Sequence, residues 1–249
     1  MLQTSRAEII FKTATTLLVD KMMKTKLIRF VKAVFFATPL WRYFLPVTKM
    51  DMSIAQLHFI TTSLEAIPEP GSVLEVGVGG GWTSIFVNNF MSMRGIERQY
   101  CAVDTFSGFT REDAEYERAA RGKTSDYSGY RSNRKDWYEK TLAAHGYEAS
   151  VFQADAKKFD YSHVGPVALA ILDVDLYSPV ADALPKIYDQ LVPSGMILVH
   201  DCEPYPQGSI FDGGCEAYRE FCRDKGMESK VFHGFGVVRK SLLAEERAR

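Results

Sequence analysis

Polar residues that could bind a cation or move a proton follow two apolar segments in the second half of the chain. The segment ILDVDLYSP places Asp173 and Asp175 after one apolar run, and MILVHDCEP places His200 and Asp201 after the next. Alternation along a strand puts Asp173 and Asp175 on one face. If the two runs are neighbouring parallel strands, about 4.8 Å apart, their ends bring these side chains together.

Several acids at one sheet edge repel one another unless a cation lies among them, and oxygen-rich ligation suits Mg²⁺. We therefore predict metal ligation by Asp173, His200 and Asp201. A bound ion would lower the pKa of a substrate hydroxyl. Asp175 or His200 would then take the proton of that hydroxyl as the catalytic residue. The alternative is that Asp173 contacts a cofactor, Asp201 caps a loop and no metal is bound.

A glycine-rich turn follows the first apolar run of the central region, in VLEVGVGGGWTSIFV. Glycines let the chain turn tightly and bring bare backbone against a ligand. The dinucleotide pattern GxGxxG would require glycine where Trp82 stands. An acid two positions before the first glycine repels a pyrophosphate but suits the cationic amino acid part of S-adenosylmethionine (SAM). The pattern present is ExGxGxG, formed by Glu75, Gly77, Gly79 and Gly81.

Two acids further along the chain complete the predicted cofactor site. Asp104 ends the second apolar run, where a carboxylate can accept hydrogen bonds from both ribose hydroxyls. Asp155 follows SVFQ, where the adenine amino group would lie, although an isolated Asp at a strand end is usually a helix cap. The predicted cofactor-binding residues are Glu75, Gly77, Gly79, Gly81, Trp82, Asp104, Thr105, Phe106, Asp155, Ala156 and Asp173.

From Ser72 onward, short apolar runs alternate with helical patterns, which predicts βαβ units and an α/β fold. We expect a Rossmann-like, mostly parallel seven-stranded sheet with helices on both faces. The last strand is antiparallel, as in SAM methyltransferases rather than dehydrogenases, because Lys230–Phe232 and Gly236–Arg239 form a hairpin. The other predicted strands are Ser72–Val78, Gln99–Val103, Ser150–Gln153, Ala168–Val174 and Met196–Val199, and the helices are Trp82–Met93, Arg134–His145, Val180–Leu191 and Cys215–Asp224.

Two regions lie outside this alternation. Residues 1–66 are predicted to be a helical extension, including a helix capped by Ser53, ahead of a methyltransferase domain at 67–249. Within it, Lys24–Val47 is too short in its uncharged part to span a membrane, and it either packs on the domain or a second subunit or lies on a membrane surface. The polar segment 105–135 is either a lid over the site or a solvated insertion with a short helix at 111–122.

Four segments carry a resemblance to a known family. The chain resembles class I SAM methyltransferases over Glu69–Lys240 and, within them, the macrocin O-methyltransferase family. That resemblance implies methylation of hydroxyls of sugars and related groups on natural products, with SAM and usually Mg²⁺, and metal ligation by Asp173 and Asp201. His200 stands where the family has an acid, which gives weight to Mn²⁺ or to metal-independent chemistry. The segments are DTFSGF (Asp104–Phe109), LDVDLYSP (Leu172–Pro179), LVHDCE (Leu198–Glu203) and GGCEAYREF (Gly213–Phe221).

Composition narrows the classes of partner and compartment. The net charge of −1 and the absence of a basic stripe argue against nucleic acid. Four cysteines without a CxxC pair, and no signal peptide, indicate reduced thiols in a cytoplasmic protein. We expect a small-molecule hydroxyl acceptor and a homo-oligomer. The alternatives are a metal-independent small-molecule methyltransferase, a SAM- or nucleotide-binding protein without catalysis, and, ranked lower, a metal-dependent oxygenase.

Overall fold

The computed structural model describes residues 51–202 and 209–240, together with scattered residues between 23 and 38. The chain divides into two compact units, Met1–Lys49 and Met50–Arg249. In the first unit most of the described residues are helical. Most of Lys24–Val47, which was predicted to pack on protein or lie on a membrane surface, is outside the described residues. No helix among the described residues is long and apolar enough to cross a membrane.

The second unit alternates strands and helices as the hydrophobic pattern predicts. The helices are α1 (Ile54–Glu65), α2 (Trp82–Arg94), α3 (Arg111–Ala119), α4 (Lys135–Ala144), a 3₁₀ helix at Tyr161–Val164, α5 (Tyr177–Gln190) and α6 (Gly213–Asp224). The strands are β1 (Ser72–Val76), β2 (Tyr100–Asp104), β3 (Ser150–Gln153), β4 (Val167–Leu172), β5 (Leu191–Val199), β6 (Lys230–Phe232) and β7 (Phe235–Arg239).

Within the described ranges these strands form one seven-stranded sheet in the order β3-β2-β1-β4-β5-β7-β6. The first five are parallel, with Leu74 of β1 opposite Cys101 of β2 and Ala170 of β4. Strand β7 pairs antiparallel with both β5 and β6. The predicted Rossmann-like fold with an antiparallel last strand is therefore confirmed. The strand order reverses between β1 and β4, which is where open α/β sheets bind ligands.

Helices cover both faces of the sheet, because successive strand side chains point to opposite sides. Leu74 and Val76 of β1 pack in one buried cluster with residues of α5 and α6, including Ala183 and Tyr218. Val73 packs in a second buried cluster with residues of α1 and α2. Burying each such side chain contributes roughly 1.5–3 kcal/mol relative to leaving it in water. The two clusters hold the strand ends in register.

Helix α1 belongs to the same unit as the sheet. Ser53 caps it as predicted: its hydroxyl accepts the Gln56 N–H, while the Gln56 side chain accepts the Ser53 N–H, which completes a capping box. Ile60 and Leu64 are fully buried against the sheet. The structural division between Lys49 and Met50 therefore differs from the predicted boundary after residue 66, since an amphipathic helix next to a sheet packs on it.

Several element ends differ from the predicted ones. Strands β1 and β4 stop two residues earlier than expected, so Gly77 and Asp173 lie in loops beyond the strand ends. Strand β5 begins at Leu191 rather than at Met196. The segment around Pro193 reads as a turn, but the strand continues through it with a register shift against β4. Helix α5 begins at Tyr177 rather than Val180, since Pro179 is tolerated in a first helical turn.

Candidate active site

A cavity of about 360 Å³ lies at the carboxyl ends of the central strands. One side, here called the cofactor half, is formed by the loops after β1, β2 and β3. The other, the acceptor half, is formed by the loops after β4 and β5 together with part of segment 105–135. The predicted site residues that line the cavity are Glu75, Gly77, Gly79, Trp82, Asp104, Thr105, Asp155, Ala156, Asp173, Asp175, His200 and Asp201.

The glycine turn brings the ends of β1 and β4 into direct contact. Gly77 has φ +84°, and a Cβ there would lie 1.9 Å from the carbonyl oxygen of Asp173. The Asp173 N–H in turn donates to the Val76 carbonyl at 2.8 Å. Only glycine fits such an approach. Gly81, at φ +86°, precedes α2 and lies against the Tyr138 ring rather than in the cavity wall.

Asp104 is held by main-chain donors. One carboxylate oxygen accepts the Val78 N–H at 2.8 Å and the other accepts the Phe106 N–H at 2.6 Å. Each oxygen keeps a further lone pair for a ligand hydroxyl. Phe106 itself is buried, has φ +52° and packs on the Tyr138 ring at 5.6 Å, so it shapes the turn without lining the cavity. Asp155 lines the cavity and also accepts the Lys157 N–H at 2.9 Å, so it does cap a turn.

Glu75 lies in β1 and is only 2% exposed. Its carboxyl accepts hydrogen bonds from the Ser84 hydroxyl and from the Tyr100 hydroxyl, the latter at 2.6 Å. Tyr138 donates to the Ser84 hydroxyl at 2.9 Å. Burial raises the pKa of Glu75 to about 8, against the lowering effect of the two hydroxyl donors. In the ligand-free protein this carboxyl therefore holds a proton at neutral pH, and a neighbouring cation would favour its ionised form.

In the acceptor half, Asp173, His200 and Asp201 offer ligand atoms that all lie within 4.8 Å of one another. His200 Nδ1 lies 2.9 Å from Asp173 Oδ1 and 3.2 Å from Asp201 Oδ1. Bonds of about 2.1 Å at right angles around Mg²⁺ would place neighbouring ligand atoms about 3 Å apart. The distances thus meet the requirement of the predicted metal site, whereas the two Nδ1 contacts do not have the angles of hydrogen bonds.

Two strained backbone positions lie at the same place. Asp175 has φ +60° and Asp201 has φ +59°, a region that side-chain-bearing residues rarely adopt. The pKa of Asp175 is raised well above its usual value by burial, by the charge of Asp173 and by a hydrogen bond to Asp201. Burial and the neighbouring acids therefore disfavour the ionised form of Asp175. These two turns direct both carboxyl groups into the cavity.

Residues 49–233, most of the chain, match the macrocin-O-methyltransferase (TylF) family. The chain belongs to the macrocin O-methyltransferase (TylF) family. It is a SAM-dependent methyltransferase on a class I, Rossmann-like fold. A comparison with curated protein sequences gives no significant match.

Solved methyltransferases share the fold of this TylF family member. The O-methyltransferase NovP has a TM-score of 0.60 and 16% identity, over 76% of this chain and 81% of NovP. The calicheamicin methyltransferase CalS11 has a TM-score of 0.59 and 19% identity, over 96% of this chain and 94% of CalS11. Apo CalS11, a TDP-rhamnose 3'-O-methyltransferase, has a TM-score of 0.51 and 17% identity, over 96% of each chain. At these identities the similarity shows the fold alone.

Sequence reasoning missed a residue of α1 that reaches the acceptor half of this TylF family member. The Gln56 side-chain nitrogen lies 3.0 Å from His200 Nε2, although the two residues are 144 positions apart. Gln56 Oε1 is already engaged, because it accepts the Ser53 N–H at 2.7 Å. The amide nitrogen therefore faces the imidazole and donates to it. The capping-box pattern Ser53-x-x-Gln56 was the only signal in the sequence, and it indicated a helix start rather than a site.

Aromatic residues of segment 105–135 and of the loop before α6 form a further wall of the acceptor half. Phe109, Tyr130 and Phe211 line the cavity, and the Phe109 ring lies 5.8 Å from Tyr130 and 6.2 Å from Phe211. Asp51, just before α1, also lines the cavity and was missed.

Segment 105–135 contains the short helix expected within 111–122, observed as α3, and ion pairs link it to its surroundings. Lys157 contacts Asp113 at 2.6 Å, with both side chains at most 8% exposed. Glu117 is fully buried and accepts the Tyr177 N–H at 2.8 Å, at the start of α5. Arg121 pairs with Glu117 at 2.6 Å, and further with Asp212 and Glu216 near the start of α6. The segment is thus a fixed wall of the cavity in this conformation.

Proposed function

We propose that this TylF family member transfers a methyl group from SAM to a hydroxyl of a small molecule, of sugar or natural-product type. The observation that carries the proposal is a single cavity that joins the glycine turn and Asp104 to the carboxyl cluster at the ends of β4 and β5. The family's own description supports a hydroxyl acceptor. The sugar-nucleotide acceptor of CalS11 supports the sugar class.

The cofactor half would hold SAM through residues of several loops. Asp104 would accept hydrogen bonds from the ribose hydroxyls, because both its oxygens are fixed by main-chain donors with lone pairs remaining. Asp155 would accept from the adenine amino group. Glu75, beside the turn, would favour the cationic part of the cofactor once ionised. Bound SAM supplies an electrophilic methyl group on its sulfonium.

The acceptor half suits a small ring that carries hydroxyl groups. The faces of Phe109, Tyr130 and Phe211 can pack on the apolar side of a sugar or on an aromatic ring. The cavity lining also disfavours a polyanion such as nucleic acid, because phosphates would meet several carboxyl groups. Its acidic residues are Asp51, Glu75, Asp104, Asp113, Asp155, Asp173, Asp175 and Asp201.

The reaction would be an in-line substitution in which positioning supplies most of the rate enhancement. The acceptor oxygen forms a bond to the methyl carbon as the bond from that carbon to sulfur breaks, and the hydroxyl proton passes to a carboxylate. Asp201 is the preferred acceptor, because burial and the charge of Asp173 raise the pKa of Asp175 and disfavour its ionised form. This assignment differs from the predicted bases, Asp175 and His200, for that reason and because Gln56 already donates to Nε2 of His200.

The three predicted metal ligands, Asp173, His200 and Asp201, lie at suitable distances, but His200 does not present a lone pair to the ion. A nitrogen that ligates a metal must present a lone pair. Gln56 donates to Nε2 of His200, so the proton of the neutral ring resides on Nδ1, which is the atom turned toward Asp173 and Asp201. In this tautomer Nδ1 has no lone pair to offer a divalent ion, so the proposed mechanism includes no step through one.

Calorimetric titration with S-adenosylhomocysteine, with and without Mg²⁺ and with NADH as the control, tests the cofactor. We expect roughly micromolar binding of S-adenosylhomocysteine, no binding of NADH and little effect of Mg²⁺. Incubation with SAM and a panel of natural-product glycosides and aglycones, read out as S-adenosylhomocysteine release, tests the acceptor class. Failure to bind S-adenosylhomocysteine, or preference for NADH, contradicts the proposal.

A further inference from the structure

We infer that Gln56 is a positioning residue that fixes the His200 ring with its proton on Nδ1, and that this N–H group takes the place of a divalent ion between Asp173 and Asp201. The inference rests on the proposed methyl transfer, since it concerns how the acceptor half of that site is held. It assigns a role to a helix-cap residue outside the sheet and makes the carboxyl cluster independent of metal.

The first step is the orientation of the Gln56 amide. The main-chain N–H of Ser53 can only donate, so the Gln56 atom 2.7 Å from it must be the oxygen. The opposite orientation would set an NH₂ group against that N–H. The Ser53 hydroxyl also accepts the Gln56 main-chain N–H, which ties the residue to the first turn of α1. Gln56 is 9% exposed, so little water competes for these positions.

The second step is the tautomer of His200. With its oxygen engaged, Gln56 presents an N–H donor to His200 Nε2 at 3.0 Å. Nε2 must then accept, and the ring proton lies on Nδ1. A ring protonated on both nitrogens would set one N–H against the other. Phe235 packs on the imidazole with ring centroids 5.5 Å apart, which restrains its rotation.

The third step is the contact with the acids. His200 Nδ1 lies 2.9 Å from Asp173 Oδ1 and 3.2 Å from Asp201 Oδ1, although these two contacts do not have the angles of hydrogen bonds. A proton on Nδ1 therefore lies beside both oxygens and attracts them electrostatically. This attraction offsets part of the repulsion between the two carboxylates, which a cation would otherwise offset.

The decisive readout is the protonation pattern of the imidazole, measured by nitrogen NMR on the full chain with ¹⁵N-labelled histidine and bound S-adenosylhomocysteine. The chain has five histidines, and a His200→Asn variant assigns the signal. We expect a protonated Nδ1 and an unprotonated Nε2. In Gln56→Glu both side-chain oxygens are acceptors, so Nε2 should become protonated. Glu also completes a capping box with Ser53, so α1 is preserved in this matched variant.

Metal affinity gives an independent readout, with Mn²⁺ as the probe in electron paramagnetic resonance titrations. Wild type should have no Mn²⁺ site that depends on Asp173. That is, no site with a dissociation constant below roughly 100 µM should be present in wild type and lost in Asp173→Asn. His200→Asp, which replaces the N–H donor with an oxygen ligand, should bind Mn²⁺ about tenfold more tightly or better than wild type.

Three results would overturn the inference: a protonated Nε2 in wild type, a tight Mn²⁺ site in wild type that requires Asp173, or equal Mn²⁺ affinity of wild type and His200→Asp. Binding of S-adenosylhomocysteine is measured on the same samples. Its loss would count against the proposed function, whereas the imidazole and Mn²⁺ results bear on the inference by themselves.

Discussion

The two halves of the cavity hold their carboxyl groups in different ways. In the cofactor half, Asp104 is bound by the main-chain N–H groups of Val78 and Phe106. In the acceptor half, Asp173 and Asp201 contact the His200 side chain, which is itself held by Gln56 from another helix. Main-chain donors exist whatever the sequence, whereas a side-chain partner exists only if one distant residue has the right type. The Asp104 carboxylate therefore depends on backbone geometry, and the Asp173–Asp201 pair on side-chain identity.

The largest effect should come from a change to backbone geometry, Gly77→Ala. A methyl group would lie 1.9 Å from the Asp173 carbonyl oxygen, and the residue would keep φ +84°. We expect the free energy of unfolding to fall by more than about 4 kcal/mol and S-adenosylhomocysteine binding to be lost. Gly79→Ala is the matched control: its φ is +47° and nothing lies within 4 Å, so it should cost about 1 kcal/mol. Equal costs in urea unfolding would show that the close approach is unimportant.

Asp201→Asn tests the side-chain dependence of the acceptor half. The amide cannot take up a proton, so turnover with an acceptor found in the glycoside panel should fall by roughly 10²–10⁴. The dissociation constant of S-adenosylhomocysteine should change less than about twofold, because Asp201 lies in the acceptor half and not in the cofactor half. A parallel loss of S-adenosylhomocysteine binding would mean that the two halves are not separable.

Glu75→Gln examines a carboxyl of the cofactor half that is held by side chains. The raised pKa, about 8, means that Glu75 keeps its proton in the folded protein while the unfolded chain loses it near pH 4.5. Its contribution to stability is fully present below about pH 4.5 and is lost as the pH rises to about 8. In chemical unfolding without ligand, the free energy of unfolding of wild type should be lower at pH 8 than at pH 5. This decrease should be smaller in Glu75→Gln, by a few kcal/mol at most. Identical pH profiles would contradict the buried-acid description.

The smallest effect should come from Tyr130→Ala, which removes one aromatic face of the acceptor half. Tyr130 is 62% exposed, so little of the fold depends on it. We expect KM for the acceptor to rise about three- to tenfold with kcat within about twofold, as for lost uniform binding. S-adenosylhomocysteine affinity should not change. An effect on kcat alone would place Tyr130 among the reacting groups instead of the binding wall.

The same difference explains which parts of the site the sequence could predict. The glycine turn and Asp104 follow strands with clear apolar runs, and their partners are main-chain atoms that any such turn supplies. Gln56 contacts His200 across 144 positions, and Asn133 donates to the Gly79 carbonyl at 2.6 Å across 54 positions. No local pattern encodes such pairings. The composition of the acid cluster was predictable, but the direction of the His200 proton required the orientation of one distant amide.

The fold was predictable for a related reason. Buried parallel strands such as β4 consist of continuous apolar residues, and these are visible in the sequence. The start of β5 was not, because Pro193 and Gly195 read as a turn although the strand continues through them with a shifted register. The predicted boundary after residue 66 separated α1 from the sheet, because the face that α1 buries is evident only when the helix lies beside Val73 of β1.

The Arg121 guanidinium, 9% exposed, is shared by Glu117, Asp212 and Glu216. Because Arg121 is the cation paired with Glu117, withdrawing it would leave this fully buried carboxylate uncompensated, a loss of several kcal/mol. A conformation in which only one Arg121 contact is broken gains little freedom of movement. Separation of α3 from α5 and α6 is therefore cooperative. Acceptor exchange that required this separation would be a rare, all-or-none event. It would depend weakly on ionic strength, since salt screens a pair this deeply buried far less than a surface pair.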